Sequence, residues 1–466
     1  MRRAVTTLAL MLTGCTSMEP AYVRPDPAVP QSWPAGDAYL RQSEASLPAV
    51  TYRDIFRDLR LQALIGQALS NNKDLQVAAA NIAAARARYR IQRAQQFPQV
   101  DASAGASAQP RSGGSGVAAQ YTAGVNVPSY EIDFFGRLAS LTGAQFNQYL
   151  ATEAGARTTR LTLVADVADA WLQHAADATL LKIAEDTAMS AQRSVRLTRA
   201  RLEGGIAPRT DLTQAQQILE TASADVASQR TALAQDVNLL QLLVGQPIDP
   251  ALLESSIEDA AANLAELPAG LDSHVLLRRP DVVQAEYQLR AANADIGAAR
   301  AALFPKITLT GLLGLASSAL TGLFSGGAFA WSAGTNVAYP IFNAGASREN
   351  VRLAEADRDA AVANYQKTIQ TAYRDVADAL ARRGTMGEQL RARKANTAAA
   401  GETYRLDVAR YEAGIDPFLE SLVAQRSYYA AQQQLALTRL AAASNLVDLY
   451  RALGGETLYP PLVPRR

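Results

Sequence analysis

The side chains that could do chemistry in this chain are few. One thiol, Cys15, and two imidazoles, His174 and His274, are spread over 466 residues. A zinc centre needs clustered nitrogen and sulfur ligands, so a His/Cys metal site is excluded. No nucleophile stands in a recognisable pattern with a base, and both imidazoles read as surface or packing residues. The carboxylates are more suggestive. Asp166 and Asp169, and again Asp375 and Asp378, lie three apart in long helical stretches, which puts each pair on one helix face. An acidic ladder lining a pore is the sharp reading, and a solvated helix face is the plainer one. Lys and Arg total 45 against 44 Asp and Glu, a net charge of +1, so the basic excess of a nucleic-acid binder is missing. The expectation is a protein that is not an enzyme and has no catalytic residues, no metal and no nucleic-acid partner.

Cys15 gains meaning from its surroundings. Met1-Arg2-Arg3 is a basic head, "AVTTLALMLTG" a short apolar run, and Cys15-Thr16-Ser17 a break of small residues. That order describes a secretory signal over 1–14, and the run is too short to span a bilayer. Leu12-Thr13-Gly14-Cys15 resembles a bacterial lipobox, which makes Cys15 a lipidated first residue. Acyl chains contribute about 0.8 kcal/mol per buried methylene, enough for several chains to anchor a protein. Apart from this lipid no cofactor is expected. Thr16, rather than Asp, resembles the outer-membrane sorting signal of enteric-type lipoproteins.

The elements that must position these residues come twice. "RLEGGIAPRTDLTQAQ" at Arg201–Gln216 returns as "RYEAGIDPFLESLVAQ" at Arg410–Gln425, shifted by 209. "DVADA" recurs identically at Asp166 and Asp375, Phe97-Pro98 recurs as Phe304-Pro305 shifted by 207, and "YTAGVNV" at Tyr121 matches "WSAGTNV" at Trp331 shifted by 210. Asn72–Gly245 and Arg279–Gly454 are therefore two copies of one unit, too long for a solenoid repeat.

Each copy changes period in a fixed order. Leu75, Ala79, Ile82, Ala85 and Tyr89 recur at helical spacing until Phe97-Pro98 ends the helix. The period then falls to two. Val100, Ala102, Ala104, Ala106 and Ala108 alternate with polar or small residues, a Gly/Ser turn follows, and Tyr121, Ala123, Val125 and Val127 alternate again. In copy two the alternating sets are Ile307 to Leu315 and Phe329 to Tyr339. Ile307–Ser347 carries no charge and a hydropathy scan would read it as a membrane helix. Its density of glycine argues against that, as do Asp101 and Arg111 in the matching stretch. Each hairpin has strands of the length that crosses a bilayer as tilted β structure. Next comes a very long helix of about 65 residues, roughly 100 Å at 1.5 Å per residue. Gly204-Gly205 and Gly414 break these helices, the glycines being needed for backbone geometry, and Pro208 and Pro417 start the return helices. Asp211 is expected to cap its helix. Four strands are too few to close a barrel, and open edges in lipid cost several kcal/mol per unpaired group, so if these strands lie in a membrane the chains must oligomerise.

This arrangement resembles the TolC-like outer-membrane factor family, in its OprM/NodT-like lipoprotein branch. The motifs that carry the likeness are "LTGC", "YVRPDPAVPQSWP" at Tyr22–Pro34, "LIGQALSNNKDL" at Leu64–Leu75, "LLRRPDV" at Leu276–Val282, "PIFNAGASR" at Pro340–Arg348 and "LYRALGG" at Leu449–Gly455. The resemblance implies a mainly α protomer with a transmembrane β-barrel: a homotrimer whose twelve-stranded barrel crosses the outer membrane and continues as a periplasmic α-helical barrel. The expected organisation is a signal peptide at 1–14, a lipid-anchored extended segment at 15–62, repeat 1 at 63–245 with its hairpin near 99–132, a linker at 246–278, repeat 2 at 279–454 with its hairpin near 306–342, and a tail at 455–466. The implied function is a passive exit duct for drugs or other small molecules. Its partners would be a periplasmic adaptor, an inner-membrane RND-type transporter and outer-membrane lipid. The open alternatives are a lipid-anchored periplasmic adaptor coiled coil, with its β segments in a soluble sandwich, and a type I secretion duct.

By the same likeness the doubled turns lie at the periplasmic mouth. Tyr411 matches a tyrosine that holds neighbouring coils together, Leu419 an apolar constriction, Glu420 one acidic ring, and Arg426 a basic position beyond it. The second acidic position reads Val423 here, so a mixed constriction of Leu419, Val423 and Glu420 is expected. The alternative for Glu420 is a helix-start acid that complements the dipole. The turns themselves, Gly204, Gly205, Ile206 and Gly414, Ile415, Asp416, are where the resemblance places adaptor docking.

Overall fold

Proline, glycine and asparagine set the element boundaries. The computed structural model describes residues 17–27, 29–30, 32–34, 51–110, 117–265 and 273–455. The signal segment, Cys15, the first hairpin's Gly/Ser turn, part of the linker and most of the tail lie outside those residues, and the side chain of His274 does too. Short helices α1 (Tyr52–Ile55) and α2 (Leu59–Asn71) precede α3 (Lys73–Ala94). Asn72 makes the joint: its Oδ1 accepts from the backbone N–H of Asp74 and Leu75 at 2.8 and 3.1 Å, a local N-cap. Strands β1 (Asp101–Pro110) and β2 (Val117–Ile132) follow, then α4 (Arg137–Glu203) and α5 (Arg209–Val244). After α6 (Ile257–Ala262) the order repeats with α7 (Pro280–Ala301), β3 (Lys306–Ser317), β4 (Phe329–Ala338), α8 (Ala346–Glu412) and α9 (Phe418–Ala452). α4 and α8 are each 67 residues long. No described helix is long and apolar enough to cross a membrane, and the uncharged stretch after Ile307 forms strands.

The chain divides into two units. The first holds the chain to Pro27, Ala80–Ala154 and Val283–Thr368. Its centre is one antiparallel sheet in the order β1-β2-β3-β4. Register sorts the faces. Ala104, Ala123 and Leu315 stand in line, as do Val125, Leu313 and Trp331. Ser103, Gly124, Gly314 and Ala330 line up on the other face. So one face is apolar and the other small and polar. Gly124 and Gly314 let β2 and β3 approach closely, since a Cβ on Gly124 would lie 2.7 Å from the Leu313 carbonyl oxygen. A bulge interrupts the β2–β3 ladder between Val127 and Tyr130, at Pro128-Ser129. It shifts the parity of β2, so that Tyr130 and Ile132 rejoin the apolar face opposite Leu309 and Ile307. At the foot of the sheet Phe135 stacks on Phe304 with ring centroids 4.6 Å apart.

The "YVRP" motif docks in the same unit. Arg24 and Arg290 both pair with Glu286, and the Arg290 guanidinium lies 4.8 Å from the Tyr22 ring centroid. The Asn293 side chain donates to the Pro20 carbonyl at 2.8 Å.

The second unit holds Ala28–Ala79, Gly155–Val282 and the chain from Ile369 onward. Trp171 is fully buried and its indole N–H donates to the Leu252 carbonyl at 3.0 Å. Trp33 stacks on Tyr373, whose hydroxyl donates to the Ser32 carbonyl at 3.0 Å. "LLRRPDV" meets "LYRALGG": the Arg279 guanidinium donates to the Ala452 carbonyl at 2.6 Å, and so covers the end of α9.

Candidate functional site

The two turns of the repeated motif are built by one rule. At the end of α4 the Ile206 N–H reaches back to the Arg201 carbonyl and the Gly205 N–H to that of Leu202, at 2.9 and 3.0 Å. At the end of α8 Ile415 and Gly414 do the same to Arg410 and Tyr411, at 2.9 and 3.0 Å. Both are Schellman closures, which satisfy orphan carbonyls through one left-handed residue. That residue is Gly205 at φ 72° and Gly414 at φ 75°. The expectation that both glycines of the first pair are required is corrected here. Gly204 does not have a positive φ, its equivalent in copy two is Ala413, and a Cβ on it would meet only ordinary contacts. Ile206 and Ile415 are left exposed at the tips. Asp416 is braced within its own turn by Arg410, at 2.9 Å between Nη2 and Oδ1. That pairing holds its carboxyl below the usual range.

The return helices start without side-chain caps. Pro208 and Pro417 are themselves the N-cap residues in extended backbone, and neither can offer a side-chain acceptor. Asp211 therefore does not cap α5, contrary to expectation. It sits in the first turn, where burial raises its carboxyl. Glu420 occupies the equivalent first-turn position of α9 and is exposed.

Equivalent arginines have diverged. Arg410 braces its own turn. Arg201 instead crosses to the other tip, donating to the carbonyls of Tyr411 and Glu412 at 3.1 and 3.2 Å. Its guanidinium lies 4.2 Å from the Tyr411 ring centroid. A cation thus closes the C-terminus of α8, where carbonyls and dipole both favour it. Tyr411 is buried in a cluster with Val195, Ile218, Phe418 and Leu422, its ring 5.2 Å from that of Phe418. Burial pushes its phenol up.

The first two turns of α9 separate two faces. Phe418, Ser421, Leu422, Ala424 and Gln425 are buried, whereas Leu419, Glu420, Val423 and Arg426 are exposed. Leu419 and Val423 are each 52% exposed although apolar. The spacing of Leu419, Val423 and Arg426 makes a stripe along one helix face, with Glu420 beside it. Tyr411 lies apart from that stripe, within the packed cluster.

The paired aspartates of copy one have a different role from either sequence reading. Arg451 reaches Asp166 and Asp169 at 3.0 and 3.2 Å, and burial pushes Asp169 up to about 6. In copy two Asp375 pairs with Arg374 at 2.6 Å and lies 3.9 Å from Arg279. Asp166, Asp169 and Asp375 therefore belong to ion-pair joints that include the "LYRALGG" and "LLRRPDV" motifs, while Asp378 is exposed on its helix face. His174 is half-buried with Nδ1 3.0 Å from the Glu254 carbonyl oxygen, and burial lowers its pKa. Sequence reasoning missed the roles of Arg201, Arg279 and Arg451, though all three lie inside motifs it singled out.

The profile of the family described as "Outer membrane efflux protein" matches residues 64–246 and 271–455. The chain belongs to this family. Similar relatives include the toluene efflux pump outer membrane protein TtgC of Pseudomonas putida, 44% identical over 96% of this chain and 94% of that one. The outer membrane protein OprJ of Pseudomonas aeruginosa is 40% identical over 97% and 95%. Among solved structures, the open state of the MtrE outer membrane channel of Neisseria gonorrhoeae superposes with a TM-score of 0.86 at 33% identity, covering 95% of this chain and 98% of that one. The duplicated, mainly helical protomer is therefore of the TolC-like channel type. As a member of this family the chain is an outer-membrane efflux component and not an enzyme. The reading of a periplasmic coiled coil with a soluble sandwich falls.

Proposed function

We propose that the chain is the exit duct of a tripartite efflux system, and that three copies close their sheets into one twelve-stranded barrel. The four-stranded sheet carries this reading. It is apolar on one face and small and polar on the other, and among the described residues the outer edges of β1 and β4 have no partner. Lipid punishes such edges, and neighbouring copies satisfy them. Leu313, Trp331 and Val337 meet lipid, while the opposite face lines water. Acyl chains on Cys15 anchor the protomer, and the long helices extend into the periplasm. There Ile206 and Ile415, with their glycines and Asp416, receive a periplasmic adaptor that links to an inner-membrane RND-type transporter. Relatives that serve solvent pumps favour small amphipathic cargo over secreted proteins.

The constriction is the exposed stripe of α9. Leu419 and Val423 form apolar collars around the threefold axis, Glu420 adds one ring of charge, and Arg426 lies beyond. Tyr411 fixes the tip from behind. Their exposure in a single protomer supports this reading, because neighbouring exposed apolar side chains mark an interaction surface or a lining when they form a contiguous patch. Purified trimer in a planar bilayer tests it. Leu419→Ser with Val423→Gly should raise single-channel conductance several-fold, and Glu420→Gln should relieve block by divalent cations. A conductance and a block unchanged by these substitutions would remove the stripe from the pore.

A further inference from the structure

A cavity of about 160 Å³ lies within the second unit, between α4, α5 and α9, beside the proposed constriction. It is comparable to an engineered cavity of about 150 Å³ that accepts benzene. Its walls are of two kinds. Ile218, Leu422 and the ring of Tyr429 supply apolar surface, while Gln425 and Arg426 of α9, with threonines and glutamines of α4 and α5, supply polar groups. Gln425 is 5% exposed, and its Nε2 has no hydrogen-bond partner. A buried amide donor left unmade costs about 1–3 kcal/mol and calls for a partner. Arg426 has neither an ion pair nor a hydrogen bond among the described residues, and no carboxylate lines the cavity. The Tyr429 hydroxyl does not compete for a ligand, since it already donates to Asp225 at 2.6 Å.

We propose that this cavity binds a small aromatic monocarboxylate. One carboxylate oxygen meets the Arg426 guanidinium, the other accepts from Gln425 Nε2, and the ring rests on Ile218, Leu422 and Tyr429. A bare inorganic anion would leave the apolar walls wet, and a neutral arene would leave both donors unanswered. The occupant therefore has both parts. The proposal rests on the cavity and its lining alone, and it stands whether or not the neighbouring stripe is the constriction.

Benzoate is the simplest probe. Ligand-observed NMR and calorimetry on the full-length protein in detergent should give saturable binding. Acetate and toluene, each carrying half of the chemistry, should bind at least tenfold more weakly. Arg426→Gln and Gln425→Leu should each weaken benzoate about tenfold while leaving the circular-dichroism spectrum and melting temperature in place. If Gln425→Leu fails to fold, Gln425→Glu keeps the size and sets a carboxylate against the ligand, with the same expected loss. No saturable benzoate binding at millimolar concentration would overturn the proposal. So would equal affinity for toluene, equal affinity for acetate, or an Arg426→Gln protein that binds like the parent. Bilayer conductance of the parent protein, measured separately, keeps this outcome distinct from that of the gate.

Discussion

Gly414 and Gly204 look alike in the sequence and differ in what they must do. Gly414 holds a left-handed backbone in a closure that ends a 67-residue helix. An L-residue there costs roughly 1–2 kcal/mol. Gly204 stands in ordinary backbone beside Gly205, and alanine at that point removes only unfolded-state freedom, about 0.4–1 kcal/mol in favour of the fold. Denaturant melts should therefore show Gly414→Ala and Gly205→Ala destabilised and Gly204→Ala neutral or slightly stabilised. Equal losses at all three would refute the assignment of the left-handed position. Which glycine of a pair carries the strain is not written in one copy. It becomes legible when the second copy puts alanine at the slack position. Arg201 shows the opposite case: its sequence equivalent braces its own turn, and only the fold reveals that Arg201 serves the other tip.

At the scale of the helix, one seam carries a pH dependence. Asp236 on α5 faces the carboxylate of Asp177 on α4, and Asp177 accepts from Gln173 at 3.0 Å. Burial first, and then the neighbouring carboxylate, push Asp236 up to about 7. The native state then holds a proton that the unfolded chain releases near pH 4. Stability from this pair is complete below that pH, falls as pH rises toward 7, and levels off above it. Asp236→Asn should abolish the decline, leaving the protein more stable than the parent at pH 8 by on the order of 1 kcal/mol. Melting temperatures between pH 5 and 8 check this, and a variant with the parent's slope would exclude the pair. Periodicity predicted the long helices and the strands, because 3.6 and 2 are properties of local backbone. A carboxylate on one helix meeting a carboxylate on another is set by packing between segments far apart in sequence, so no spacing announced it. The arginine joints to Asp166, Asp169 and Asp375 escaped for the same reason.

For the whole molecule, the two copies also predict how chains meet. In the first unit Phe135 stacks on Phe304, joining the end of one hairpin to the start of the other. The counterpart of Phe304 in copy one is Phe97, which is exposed. Following the second hairpin, Ile341 and Phe342 are 91% and 89% exposed. Three chains in a ring would bring the second hairpin's end of one protomer to Phe97 of the next, covering what a single protomer leaves open. Phe342→Ser with Ile341→Ser should convert trimer into monomer in detergent, read by native mass or light scattering, while Leu353→Ser, at an exposed apolar position of α8 away from the hairpin end, should not. A trimer that survives both substitutions would place the protomer contact elsewhere.

The bulge at Pro128-Ser129 has a consequence for symmetry. The copies are offset by 210 at Val127 and Val337, but by 209 at Gly136 and Gly345, the two left-handed glycines before α4 and α8. Copy one thus holds one residue more across that interval, and the ladder between β2 and β3 shifts in that interval. An insertion that would have turned Tyr130 and Ile132 toward water is absorbed as a kink. A ring of three chains consequently bears the kink on alternate hairpins. Six similar hairpins make a threefold object, and a single extra residue marks which hairpins are related by rotation and which only by ancestry.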